Sequence, residues 1–186
     1  MGTSLIGYLE THCERVQSGQ LMEGRGRVEG FPKNPGVWGG SVTVTNSIEI
    51  QAVAKFLHYF SILNHYTFVY QIRIRMTKES APVQLTRRHW DVKDGESISV
   101  VEGEGVIGQY PIILAPSESP AFLYESCSTM SSLVDSQISG WLEFKYLEGE
   151  KKDQVFQARV EPFKLALQEG QELMDTPYFE DWMNHQ

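Results

Sequence analysis

Ile48-Glu-Ile-Gln-Ala-Val-Ala-Lys-Phe56 places an apolar side chain at every even position, with Glu49, Gln51, Val53 and Lys55 between them. A side-chain period of two is that of an extended strand, whose successive residues point to opposite faces. The stretch Phe68-Val-Tyr-Gln-Ile-Arg-Ile-Arg-Met76 repeats the pattern, with Val69, Gln71, Arg73 and Arg75 on the second face. Both read as half-buried antiparallel strands, one face on a core and one toward solvent. Further strands are expected at Val42–Thr45, Val83–Val92, Ser97–Val101, Ile112–Leu114, Ala121–Tyr124, Gly140–Leu147 and Val155–Glu161, separated by turn signals such as Asp94-Gly95, Ala115-Pro116 and Glu148-Gly149. Many short strands without intervening helical patterns predict an all-β antiparallel sandwich or barrel.

Upstream the period differs. Leu5, Ile6, Leu9, Cys13 and Val16 fall at helical spacing behind a cap at Thr3 or Ser4, and Gly19 stands where a helix stops. A short amphipathic helix is predicted there. Eight glycines and prolines between Gly24 and Gly40 predict a linker without regular structure. Residues 1–40 are thus helix and linker, 41–166 the β domain, and 167–186 an acidic, aromatic-rich tail. If helical, that tail carries one apolar stripe through Leu173, Met174, Tyr178, Phe179, Trp182 and Met183.

The 186 residues carry a net charge of −8, which argues against a nucleic-acid backbone binder. Cys13 and Cys127 are far apart and lack metal-ligand spacing, so neither a disulfide scaffold nor a zinc site is expected, and the compartment reads as reducing. The N-terminus has no secretory or lipidation signal, and the most apolar window, Ile50 to Leu63, is interrupted by Gln51, Lys55 and His58. A chain of the cytoplasm or nucleus, off the membrane, is expected.

Gly103, Gly105 and Gly108 have the G-x-G-x-x-G spacing of a dinucleotide cradle, but Gly108 is followed by Gln-Tyr-Pro-Ile-Ile-Leu-Ala-Pro. Pro111 and Pro116 block the helix whose N-terminus would hold a pyrophosphate. The glycines therefore read as turn chemistry that permits positive φ, with an exposed-amide anion site as the functional alternative. Arg73 and Arg75 share a strand face, and Arg88 is a further cation to join them. If they converge on the loop, guanidinium forks plus amides suit an acidic peptide or phosphate. Cys127 reads as a buried or half-buried hydrophobe, His89 as a hydrogen-bonded structural residue, and Trp90 and Trp141 as packing residues. The serines near Cys127 have no nucleophile frame, and no catalytic triad is visible.

Four ordered motifs carry more weight than the glycines alone: Val83-Gln-Leu-Thr-Arg-Arg-His-Trp90, Gly103-Glu-Gly-Val-Ile-Gly108, Tyr124-Glu-Ser-Cys127 and Glu161-Pro-Phe-Lys-Leu165. Together they resemble the ApaG domain over roughly residues 41 to 165, except that Ser131–Gln137 replaces a small, glycine-bearing stretch of the family pattern. The helix region Tyr8–Gly19 is similar to that preceding the ApaG domain of animal and plant F-box proteins. The resemblance implies a fibronectin- or immunoglobulin-like β-sandwich with no established enzyme activity and no cofactor. It further implies a protein-interaction module of SCF-type ubiquitin ligases. Bacterial members are linked to cobalt and magnesium tolerance, and their glycines to nucleotide or polyphosphate binding. No F-box is recognisable in these residues. The candidate binding residues are Gly103, Glu104, Gly105, Gly108, Arg73, Arg75 and Arg88.

Overall fold

A computed structural model describes residues 34–57, 65–119 and 121–167, together with the backbone of three short strands before them. These strands, β1 (Leu21–Gly24), β2 (Arg27–Glu29) and β3 (Phe31–Pro32), form a small antiparallel sheet in the order β2-β1-β3. A single 3-10 turn follows at Pro35–Trp38. The expected linker is therefore partly regular: its glycines and prolines space the strands rather than dissolving them. The predicted helix and the tail beyond Leu167 lie outside the described residues.

Among the described residues nine strands build the sandwich: β4 (Ser41–Thr45), β5 (Ile48–Phe56), β6 (Tyr66–Met76), β7 (Val83–Asp94), β8 (Ser97–Glu104), β9 (Ile112–Ile113), β10 (Phe122–Met130), β11 (Ser136–Tyr146) and β12 (Val155–Lys164). The first sheet runs β10-β6-β5-β4 and the second β12-β11-β7-β8, with β9 pairing the start of β7. Every pairing is antiparallel. Every strand expected from 41 onward is present, as is the sandwich, and the alternation sets which face is inside. Ile48, Ile50, Phe56, Phe68, Ile72 and Ile74 meet Leu85, Ile138, Leu142, Phe144 and Phe163 across the core. Among the described residues no helix is long and apolar enough to cross a membrane.

The expectation of a half-buried β5 is corrected. Glu49, Gln51 and Val53, on its other face, are buried as well. The turn at 35–40 reaches over this face: a Cβ on Gly40 would meet Val53 Cγ1 at 2.7 Å and Ala52 O at 2.3 Å. Beside it the polar groups satisfy one another. Gln51 Nε2 donates to Glu49 Oε1 at 3.0 Å, Arg73 Nη1 to Gln51 Oε1 at 3.4 Å, and Arg75 reaches both Glu49 oxygens at 2.6 and 3.0 Å. Buried charge is tolerated where it is paired in this way.

β10 runs six residues past its expected end at Tyr124. Its continuation Glu125-Ser-Cys-Ser-Thr129 lacks apolar alternation because one face is solvent-exposed and the other looks into a cleft rather than the core. Cys127 is exposed, not buried. It falls on the same face as Glu125 and Thr129, where period two puts it once Tyr124 is fixed inward.

Candidate binding site at the glycine hairpin

β7 carries one residue more than its partner β11 between Leu85 and Arg87, a bulge that leaves Thr86 without an opposite number. The Thr86 hydroxyl donates to Glu143 Oε1 at 2.9 Å, and its carbonyl accepts from Gly105 N at 2.8 Å. The bulge thus anchors the loop that follows β8. Val106 and Gln109 then exchange backbone hydrogen bonds of 2.9 and 2.8 Å, closing a tight hairpin with Ile107 and Gly108 at its tip. Both tip residues have positive φ, 43° and 72°, as a type I′ turn requires.

The turn reading of the motif is accordingly seen in the backbone, but the three glycines serve different needs. Gly105 has φ +58°, and a Cβ there would lie 2.3 Å from Gln109 O, so only glycine fits. Gly103 does not have positive φ. It is bare because Arg88, its partner across β7–β8, lies flat over it: a Cβ would stand 2.9 Å from Arg88 Nη1. Arg88 Nη1 donates to Gly105 O at 2.9 Å and to Glu104 O at 3.4 Å. Glu104 accepts from the Tyr110 hydroxyl at 3.0 Å, and this bond raises the phenol's pKa. As the Gly105 amide is spent on Thr86 and those of Val106 and Gln109 within the hairpin, most of an anion nest is already occupied.

The structure therefore brings together Arg88, Gly103, Glu104, Gly105 and Gly108. Arg73 and Arg75 lie in the other sheet. Arg73 is buried, whereas Arg75, ion-paired with Glu49, lines a cavity of about 270 Å³ with Gln109, Tyr110 and Pro111, just beyond the hairpin.

β8 forms the outer edge of the second sheet and is exposed almost throughout, with Ile98 72 %, Val100 57 % and Val101 44 % accessible. Behind it, between β7–β8 and β10, is a second cleft of about 260 Å³, walled by Val101, Ile107, Ile138, Arg88, Trp90 and Tyr124 among others. The Trp90 ring is buried edge-on to Phe163, as its packing role predicts. Its indole nitrogen and the Tyr124 hydroxyl are both buried without a hydrogen-bond partner among the described residues. Burial pushes the Tyr124 phenol well up, and the Arg88 charge opposes this.

His89 points to the opposite face of the sheet. It stacks on Trp141 at 5.1 Å and 7°, and its ring nitrogens lie 2.7 Å from Glu102 and 3.2 Å from Asp91. The Glu102 contact is the main reason its pKa is raised. The hydrogen-bonded structural role expected for it matches this setting. Asp94 was invisible as a structural residue in the sequence. It accepts from Ser131 N at 2.8 Å, Ser132 N at 3.2 Å and Ser136 Oγ at 3.2 Å. Burial raises its pKa, but these donors outweigh burial and hold it below the ordinary value.

Residues 61–146 match the family model described as ApaG domain. Protein ApaG of Azoarcus sp. (strain BH72) is 35 % identical, the alignment covering 68 % of this chain and 95 % of the relative. This chain belongs to the ApaG family. Other ApaG relatives are parts of larger proteins: F-box protein SKIP16 of Arabidopsis thaliana is 32 % identical over 88 % of this chain, and human F-box only protein 3 is 28 % identical over 89 %. The chain spans only 41 % and 34 % of these two proteins. A crystal structure assigned to ApaA from Bordetella pertussis superposes with a TM-score of 0.56 at 28 % identity, covering 64 % of this chain and 93 % of that one. The ApaG sandwich is thus shared, and the F-box relatives extend the likeness into the segment before β4.

Proposed function

We propose that this ApaG domain is a non-enzymatic protein-interaction module that recognises substrates for an SCF-type ubiquitin ligase in the cytoplasm or nucleus. The observation that carries the reading is the outer edge of β8, unpaired among the described residues and bearing exposed Ile98, Val100 and Val101. An unpaired strand edge with apolar side chains is a template for β-augmentation by an extended peptide. The glycine hairpin stands at its end, so Gly103, Glu104, Gly105, Gly108 and Arg88 form the head of the proposed contact surface, and Arg75 borders it across the neighbouring groove. Arg73 contributes from below, by holding Gln51 in the β5–β6 network. The kinship with F-box proteins supports a ligase setting.

Affinity purification of the protein from its own cells, wild type against Ile98→Lys/Val100→Lys, tests this. The double variant is expected to lose the partner while its thermal midpoint stays near wild type, as exposed substitutions usually allow. Glu104→Lys is expected to weaken capture. An Skp-type adaptor recovered alongside the partner marks ligase assembly. Equal recovery of the partner by wild type and double variant overturns the edge reading.

A further inference from the structure

The cleft between β10 and the β7–β8 edge combines features that a packing defect lacks. Its walls are chiefly aliphatic and aromatic, yet two of its lining residues, Trp90 at 2 % and Tyr124 at 4 % exposure, hold the polar atoms buried without partners among the described residues. An indole N–H is a donor only, and a phenol O–H donates readily. Leaving such groups buried and unmet is costly, so a site with two of them is organised for an acceptor. Among the described residues Arg88 is the single charged residue in the wall, and no Asp or Glu lines it, in a chain of net charge −8. The Arg88 guanidinium is held in place by the carbonyls of Glu104 and Gly105.

We propose that this cleft binds a carboxylate carried on a short aliphatic stem. The stem lies against Val92, Val101, Ile107 and Ile138. The carboxylate oxygens accept from Trp90 Nε1–H and Tyr124 O–H, and Arg88 offsets the charge. A dianionic phosphate fits poorly, since one guanidinium already shared with two carbonyls cannot neutralise it. A hydrocarbon leaves both donors unmet. The carboxylate belongs either to a free organic acid or to the acidic side chain of a protein, and the two sources share this chemistry. The inference concerns the interior of the cleft; it shares Arg88 and Val101 with the proposed contact surface but is read at the Trp90 indole rather than by partner capture.

Two-dimensional 1H–15N spectra of the whole chain test it through the Trp90 indole resonance, assigned by its loss in Trp90→Phe. The titrants are butyrate, butyramide, inorganic phosphate and a short peptide with one central glutamate. The expected result is a saturable indole shift with butyrate, the peptide or both, and none with butyramide or phosphate. The tighter of the two binders identifies the source. Tyr124→Phe and Arg88→Gln should each weaken binding by about tenfold or more, the size of a lost charge-assisted hydrogen bond. Tyr124→Phe should do so with a thermal midpoint at or above that of the wild type. An indole resonance unmoved by both carboxylates overturns the proposal. So does a saturable shift with phosphate or butyramide, or an undiminished affinity in Tyr124→Phe.

Discussion

The two long sides of the sandwich are built on opposite terms. Where β4 meets β12, the sheets are laced together: Ser41 Oγ donates to Glu161 O at 2.7 Å, Glu161 N to Thr43 Oγ1 at 3.2 Å, and Lys164 N to Gly39 O at 2.8 Å. Where β10 faces β8 there is a cleft, and two buried polar atoms go unpartnered among the described residues. Polar groups on the first side are used to join the sheets; on the second they are left available. A protein that can seal one seam and leaves the other open separates its stability from its binding surface.

This contrast is open to direct attack, beginning with the sealed side. Phe163 on β12 is fully buried and packs against Tyr70 and Trp90. Phe163→Ala is expected to cost about 3–5 kcal/mol, read from urea unfolding. The hairpin comes next: Gly105→Val forces a β-branched residue into φ +58° and against Gln109 O, for an expected loss of about 1–3 kcal/mol in the same assay. Ser41→Ala removes one seam bond and should cost about 1 kcal/mol. Tyr124→Phe, on the open side, should cost nothing and gain up to roughly 1 kcal/mol, because it deletes a buried hydroxyl that has no partner among the described residues. Comparable losses in Ser41→Ala and Tyr124→Phe would erase the distinction between the two sides.

The smallest expected effect is one of pH. His89 has a folded pKa above 6.5, chiefly through Glu102. A group whose pKa rises on folding stabilises most when protonated in both states. Its contribution is therefore full below 6.5 and is lost as pH climbs through the higher folded value. Thermal midpoints across that window should fall slightly in the wild type and not in His89→Gln. A parallel fall in both would assign the effect elsewhere.

The sealed side was also the legible side. Alternation located β4 to β7 and β12, because each has a face committed to the core, and the ordered motifs placed Arg88 and the glycines on one domain. The open side was harder to read for a physical reason. Glu125 to Thr129 contact solvent and a cleft, so no apolar rhythm marks them as strand. The cationic pair Arg73 and Arg75 looked like a surface patch because a paired buried arginine and a solvated one are the same letter; only Glu49 and Gln51, opposite them in register, distinguish the two. Trp90 was read correctly as a packing residue, but one position in a strand cannot report that its nitrogen lacks an acceptor.

Asp94 has a mechanical meaning beyond its own hydrogen bonds. The chain crosses from the first sheet to the second between β10 and β11, and Asp94, at the end of β7, grips that crossing through two amides and the Ser136 hydroxyl. The open side is thereby riveted at one corner, while at the other, among the described residues, it is bounded by the hairpin tip at Ile107 and Gly108. The two ends of the cleft are therefore held by unequal means, hydrogen bonds to a carboxylate at one and a two-residue turn at the other. Added or deleted residues at 131–136 would shift the rivet itself, whereas changes in length at the hairpin tip would leave the Asp94 contacts in place.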